Sequence, residues 1–381
     1  MNNRFPWDSY SDQPYILKRE EKKALRKGHK LAFIKLLMTN LIFFPYLFLK
    51  FLLKSKKTKN DESHYNYNQR AKDSIGLCVN LDKGEAQYEL INELNVKSLQ
   101  IRVFLNDMNN IDDYLNFTKG FGEDKELLIT IIQDREHIEN HELLKENVTI
   151  IFEKFQGIAN EFQIGNAINR IKWSFVSMEE YLAFYQTIQK VRDEQFPDIK
   201  LIGSSVIDFE YHFSIRTLFN NYKVHYDKFS TLLYVDRRGS PYSTQMGIFN
   251  FKNKIEFLDS ILKSSSKSGN NMYITEANWP LSDTAPYAPT SEKECVSEER
   301  YAQYMNEYFE IALKTKKIEK VFWHQLIAPG YGLIDNRNGK IRKTKAFYDF
   351  KEWMYQNQFS YEEMGTCHIL LDEDRGDTNH E

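Results

Sequence analysis

Short apolar runs alternate with longer amphipathic stretches eight times along the larger part of this chain. The runs at 75–80, 98–105, 127–133, 162–165, 201–207, 231–235, 272–275 and 321–323 are rich in Ile, Val, Leu, Phe and Tyr and are too short to be helices. After each comes a stretch whose apolar positions recur every three or four residues: 86–94, 111–117, 138–156, 178–195, 212–220, 252–264, 298–316 and 345–355. Eight strands, each followed by a helix, predict an α/β chain folded as a parallel (β/α)₈ barrel over 74–356. The alternative, an open doubly wound sheet, normally carries a glycine-rich phosphate turn after its first strand. Here that turn, residues 80–87, has one glycine. A barrel takes roughly 250 residues, so a chain of 381 holds one barrel with extensions.

The pattern is different before residue 60. Residues 31–53 are almost wholly apolar, and the uncharged core of that run, 36–49, is 14 residues long and contains Pro45. A spanning helix needs about 20 residues. Three readings follow: a helix lying in the plane of a membrane, a transmembrane anchor, or a helix docked on the barrel. Lys35 and Lys50 flank the run on both sides, which favours the in-plane reading, because both can meet anionic headgroups of one leaflet. The run begins late, follows a long charged stretch and lacks a small-residue cleavage site, so a secretory signal is not expected.

Charge sharpens the division. Residues 1–60 carry 14 Lys and Arg against four acids, a net +10, which leaves −13 on the rest of a chain whose net charge is −3. The expected organisation is a basic, apolar, membrane-associating extension (1–60), a polar linker (61–73), the barrel (74–356) and an acidic tail (357–381). The anionic partner would be a membrane surface met by residues 18–59, on its cytoplasmic face, as a peripheral or monotopic protein. No nucleic acid is expected. The three cysteines, Cys78, Cys295 and Cys367, form neither a disulfide framework nor a metal spacing, which suits a reducing compartment. The nine histidines show no ligand spacing, so neither a metal nor another cofactor is expected.

Catalytic side chains of such barrels stand at the C-terminal ends of the strands. After the seventh strand stand Thr275, Glu276, Ala277, Asn278, Trp279 and Pro280; a carboxylate ending an apolar strand is poorly placed for packing and well placed for chemistry. After the fourth stand Gly165, Asn166, Ala167, Ile168, Asn169 and, a little later, Trp173. The eighth ends in Trp323, His324 and Gln325. The second carries Arg102, and the sixth Tyr234 and Asp236. Arg170, Lys172, Arg237 and Arg238 follow the fourth and sixth strands and would suit an anionic ligand on one rim.

In order and spacing these residues resemble those of the clan A glycoside hydrolases, (β/α)₈ barrels of the retaining type, over about residues 74–355. The resemblance rests on Gly165-Asn166-Ala167-Ile168-Asn169 where that family has Gly-Asn-Glu-x-Asn. It rests also on Thr275-Glu276 with Trp279-Pro280 after the seventh strand, on Trp323 ending the eighth, on Asp227, Ser230 and Tyr234 around the sixth, with Leu232 where a His would stand, and on Arg102. It implies Glu276 as nucleophile, supported by Arg102 and Tyr234. It implies a carbohydrate or glycolipid as partner, bound by Asn166, Asn169, Trp173, Asp236, Asn278, Trp279, Trp323, His324 and Gln325.

One departure changes the picture. Retaining enzymes pair a nucleophile with a second carboxyl about 5–5.5 Å away that protonates the leaving oxygen. That acid falls at position 167, which is alanine. Glu161 is six residues back along the strand, about 20 Å at 3.3 Å per residue, toward the wrong end. Asp208, Glu210, Asp236 and His324 are the remaining substitutes. The function expected is therefore that of a glycoside hydrolase-like protein acting on or binding an envelope glycan or glycolipid. The alternative is a glycan-binding pseudoenzyme or membrane scaffold in polysaccharide or lipopolysaccharide biosynthesis.

Overall fold

Eight parallel strands close into a barrel: β1 (Ile75–Val79), β2 (Ser98–Phe104), β3 (Glu126–Ile132), β4 (Glu161–Ile164), β5 (Lys200–Ile207), β6 (Lys228–Leu232), β7 (Met272–Ile274) and β8 (Ile318–Trp323), with β8 pairing back onto β1. This computed structural model describes residues 7–58 and 71–355. The acidic tail 357–381 and most of the linker 61–73 lie outside the described residues. Strands buried on both faces read as continuous apolar runs, which is why the alternation was visible. Side chains facing the helices join one large core, while Leu128, Ile202, Tyr273 and Phe322 form a separate cluster inside the barrel. The Phe322 ring comes so close to β1 that a Cβ on Gly76 would lie 2.6 Å from it. At the N-terminal end Lys228 donates to Glu161 and Glu319, at 2.6 and 2.7 Å, closing the bottom with a satisfied polar layer.

Two elements differ from the pattern. The strand expected at 231–235 begins at Lys228, because its first residue is a cation serving that bottom layer. The helix expected over 138–156 is two, Arg135–Glu139 and His141–Phe155. Asn140 breaks it and caps the second helix, its Oδ1 accepting from the Leu143 N–H at 3.1 Å.

The N-terminal part packs against the barrel, its ribbon at the mouth and its helices along the side. Trp7–Asp8 and Gln13–Pro14 pair as a two-stranded antiparallel ribbon. Helix α1 (Arg19–Arg26) then leads through one 3₁₀ turn into α2 (Lys30–Thr58), which contains Pro45. One face of α2 packs on the barrel helices Tyr211–Leu218 and Phe251–Leu262. Phe43 stacks on Phe219 at 4.3 Å, Phe44 on Tyr211 at 5.3 Å, and Leu47 and Phe51 are buried. Asn40 Nδ2 donates to the His212 carbonyl at 2.9 Å, and Lys50 to Ser264 Oγ at 2.7 Å. The opposite face, with Leu31, Ile34, Leu37, Leu41, Tyr46, Leu49 and Leu53, is exposed. The stretch Arg19–Leu53 is long and apolar enough to cross a membrane by length and composition. Its two apolar faces divide between the barrel and the outside.

Candidate active site

Glu276 stands two residues beyond β7, half-buried, at the C-terminal mouth of the barrel. Tyr234, two residues beyond β6, donates its hydroxyl to Glu276 Oε1 at 2.6 Å. Burial, together with the Glu276 charge, holds the Tyr234 phenol well above its usual pKa, so it stays a donor. The Arg238 guanidinium covers the face of the same ring, 3.6 Å from its centroid. Asn166 Nδ2 points at Glu276 Oε2 from 3.4 Å. The Asn166 backbone is fixed by Gln133, at the end of β3, which accepts from its N–H at 2.9 Å and donates to its carbonyl at 2.8 Å. Among the described residues Glu276 thus has two hydrogen-bonding neighbours, and Arg102 is not one of them. Arg102 Nε donates to Asn80 Oδ1 at 2.7 Å, and its Nη2 is salt-bridged to Asp12 of the N-terminal ribbon.

The fourth-strand side is different in kind. Ala167 is fully buried with a left-handed φ of +46° and sits in an apolar cluster with Ile132, Trp173, Leu232 and Tyr234. Asn169 ties the β4 loop to β5: its Nδ2 donates to the Ile207 carbonyl at 3.0 Å and to Glu210 at 2.6 Å, and its Oδ1 accepts from the Ile207 N–H at 2.9 Å. Asp208 and Glu210 are both salt-bridged to Arg170, at 2.5 and 2.7 Å. Arg238 approaches Asp208 to 3.6 Å. Arg170 and Arg238 therefore meet the rim's own acids. Lys172 is the exception: burial and Arg170 lower its pKa to about 8, and it donates to Gln13 at 2.5 Å. Asp208, Tyr234, Asp236 and Arg238 line one open groove of about 580 Å³ beside the mouth.

The eighth-strand residues divide by the parity of the strand. Phe322 points into the barrel, so Trp323 points out. Its ring is fully buried among Tyr301, Tyr308 and Phe309, and its Nε1 donates to Tyr301 at 2.7 Å. Trp279 is buried beside it, rings 5.9 Å apart, donating to the Arg238 carbonyl at 2.8 Å. Asn278 donates to the His324 carbonyl at 2.5 Å. These three brace the mouth from behind and do not present their side chains to the cleft. His324 is buried and stacked on Tyr331 at 5.7 Å; burial lowers its pKa, so the imidazole is neutral near pH 7. Gln325 Nε2 donates to Asp12 Oδ2 and to Tyr331 Oη, each at 2.9 Å.

Three residues in this constellation were not singled out by the sequence. Asn80 and Gln133 directly follow β1 and β3, at the same end of the barrel as Glu276. Asp12 reaches the mouth from 90 positions away, and nothing local marks it. Among the described residues no three His, Cys, Asp or Glu side chains gather as a metal would require.

The chain matches no protein-family model and no curated protein. Its fold is shared with glycoside hydrolases. A GH39 β-xylosidase from Caulobacter crescentus is 11% identical over 76% of this chain and 72% of its own, with a TM-score of 0.53. The virulence factor SghA from Agrobacterium tumefaciens is 9% identical over 75% of this chain and 97% of its own, with a TM-score of 0.54. A GH39 enzyme from Xanthomonas axonopodis pv. citri is 10% identical over 75% and 67%, with a TM-score of 0.54. At such identity the likeness is one of fold: a closed (β/α)₈ barrel, here with an added N-terminal helix.

Proposed function

We propose that this chain acts at a membrane surface on an envelope glycan or glycolipid, with Glu276 as the nucleophile and no general acid on the fourth strand. The observation that carries the reading is the pairing of a reachable carboxylate, oriented by Tyr234 at 2.6 Å, with a fully buried alanine where the acid would stand. Glu276 would form a bond to the anomeric carbon while the bond from that carbon to the leaving oxygen breaks, its electron pair going to that oxygen. A sugar alkoxide needs a proton at that moment, and a phosphate or pyrophosphate does not. Substrates with a leaving group stable as an anion, lipid-linked glycosyl phosphates among them, fit a cleft of this kind. Water or an acceptor hydroxyl would then take the sugar from Glu276.

General acid catalysis contributes about 10²–10⁴ in rate. Glycosyl phosphates and activated aryl glycosides should therefore turn over faster than alkyl glycosides by that factor. Comparable rates on both classes would show an acid in the cleft and overturn the mechanism. The apolar cluster closing around Ala167 favours a second reading, a glycan-binding protein without turnover, and binding with no turnover of either class would select it.

The membrane part rests on α2. Its outer face is a stripe of exposed Leu and Ile, with Lys27, Lys30 and Lys35 near one end, an arrangement suited to the headgroup boundary of an anionic, cytoplasmic leaflet, while Lys50 at the other end is tied to the barrel through Ser264. Because the inner face buries Leu47 and Phe51, removing the segment would strip the barrel. Substituting the outer face alone, Leu37→Glu with Leu41→Glu, should abolish co-flotation with anionic vesicles and leave the fold intact; unchanged flotation would refute the assignment.

A further inference from the structure

The N-terminal ribbon lies in the mouth of the barrel. Trp7 sets its ring edge-on to Phe104 and to Trp173, 5.6 Å from each, and so covers the apolar wall around Ala167. At the turn, Asp12 adopts a left-handed φ of +51°, a conformation that Asp tolerates better than most residues, and turns its carboxylate down onto Arg102. Arg102 is 3% exposed. The same carboxylate oxygen accepts from Gln325 Nε2 at 2.9 Å. The platform beneath is built independently of the ribbon. Asn80 holds Arg102 Nε at 2.7 Å, bonds to Gln325 Oε1, and is itself fixed through its backbone by Gln87 at 2.8 and 3.1 Å. Burial alone would raise the Asp12 pKa, but the charges of Arg102 and Lys83 and these hydrogen bonds outweigh it and hold the group below its ordinary value, ionised.

Among the described residues the ribbon makes few other polar ties, although Ser11 and Pro14 are buried. It pairs with itself and with no barrel strand. Its outer ties are Gln13 Nε2 to the Pro289 carbonyl at 3.1 Å, Lys172 to Gln13, and an edge contact of Tyr10 with Tyr287. Tyr10 and Tyr15 are exposed. A segment with so few ties can leave, and its departure opens Arg102 to the cleft and removes the anion that pairs with it. A ligand that takes the ribbon's place gains most if it supplies a group like the one removed. The planar guanidinium beside a carboxamide donor matches a planar carboxylate.

We propose that the ligand of this cleft is an acidic saccharide whose carboxylate replaces Asp12 on Arg102 and Gln325, and that residues 7–14 are a built-in competitor for that site. The proposal rests on the reading of the mouth as a glycan site and adds the sugar class and its control. As the ribbon leaves, Trp7 uncovers the Trp173 ring, whose face can then take the apolar side of the sugar. A ligand that must first evict an internal competitor binds more weakly by the fraction of molecules already open.

The test uses the full chain and titrates methyl glycosides of D-glucuronate, D-galacturonate and D-mannuronate, each beside its neutral counterpart, with inorganic phosphate as a separate anion. Binding is read by calorimetry, and ribbon release by hydrogen exchange of residues 7–14. At least one uronate should bind tenfold or more tighter than its neutral counterpart and raise exchange in the ribbon. Asp12→Asn should tighten that uronate about tenfold. Trp7→Ala, which loosens the ribbon without touching the platform, should tighten uronate and neutral sugar alike. Equal binding of uronate and neutral sugar, binding of phosphate alone, or no effect of either variant would each overturn the proposal. If no saccharide binds the parent or either variant, the glycan reading falls as well, which separates the two failures.

Discussion

The two sides of the barrel mouth are built from opposite materials. On the seventh-strand side a half-buried carboxylate is held by a phenol and faced by a carboxamide, both of them groups that can stabilise its charge. On the fourth-strand side, where a glycosidase of this architecture needs its proton donor, an alanine is sealed by Ile132, Leu232, Trp173 and, from above, Trp7. A nucleophile keeps its charge and wants polar company. An apolar wall offers a leaving group neither a proton nor a hydrogen bond. The contrast teaches that, on the proposed reading, position 167 is not a single-residue gap in an otherwise polar site, because its surroundings are apolar too.

The comparison breaks most directly at Glu276. Glu276→Gln removes the proposed nucleophile at nearly constant volume, so turnover of an activated glycoside should fall by about 10³-fold or more, about 4 kcal/mol of barrier, while the melting temperature barely moves. Parent-like turnover by the Gln variant would mean the chemistry lies elsewhere.

On the other side, Ala167→Glu asks whether an acid can simply be put back. The site is fully buried and its backbone is left-handed, so a new carboxyl would enter apolar surroundings without a partner. Burying an unsatisfied polar group costs roughly 1–3 kcal/mol by mutational scales. Thermal unfolding should drop by several degrees, with no gain on alkyl glycosides. A stable variant that hydrolyses them would show that the wall opens and that only the side chain was missing.

The legibility of these features followed physical lines. The barrel could be read because its strands are apolar on both faces, and the position of Glu276 at the mouth because such a barrel opens at the C-terminal ends of its strands. The three tryptophans Trp173, Trp279 and Trp323 looked alike in sequence, yet only Trp173 faces the cleft. Strand parity sends Trp323 into the helix layer, and parity is lost when the register of an apolar run is uncertain by one residue. Helix α2 is apolar all round, so hydropathy could not divide its barrel face from its outer face. The ribbon was illegible for a different reason: eight residues with one short ladder make their defining contact, Asp12 to Arg102, through the fold and not through any local pattern.

The smallest expected effect sharpens the comparison from within the polar side. Tyr234→Phe keeps the ring, its place in the apolar cluster and its stacking under Arg238, and removes only the hydroxyl that donates to Glu276. Glu276 would keep the longer approach of Asn166 at 3.4 Å as its remaining neighbour of this kind. A hydrogen bond to a charged group is worth about 1.5–3 kcal/mol, so activity on an activated glycoside should fall about 10- to 100-fold, less than for the loss of the carboxylate itself. The pH dependence of the loss carries separate information. Burial and the Glu276 charge both push the Tyr234 pKa up, so the parent phenol remains a donor throughout the neutral and mildly alkaline range. The ratio of parent to variant rates should therefore stay flat as pH rises through the ordinary tyrosine value near 10. A ratio that collapsed toward one on that rise would mean the phenol ionises in this range. Its hydroxyl would then not be the fixed donor that sets the seventh-strand side apart from the fourth.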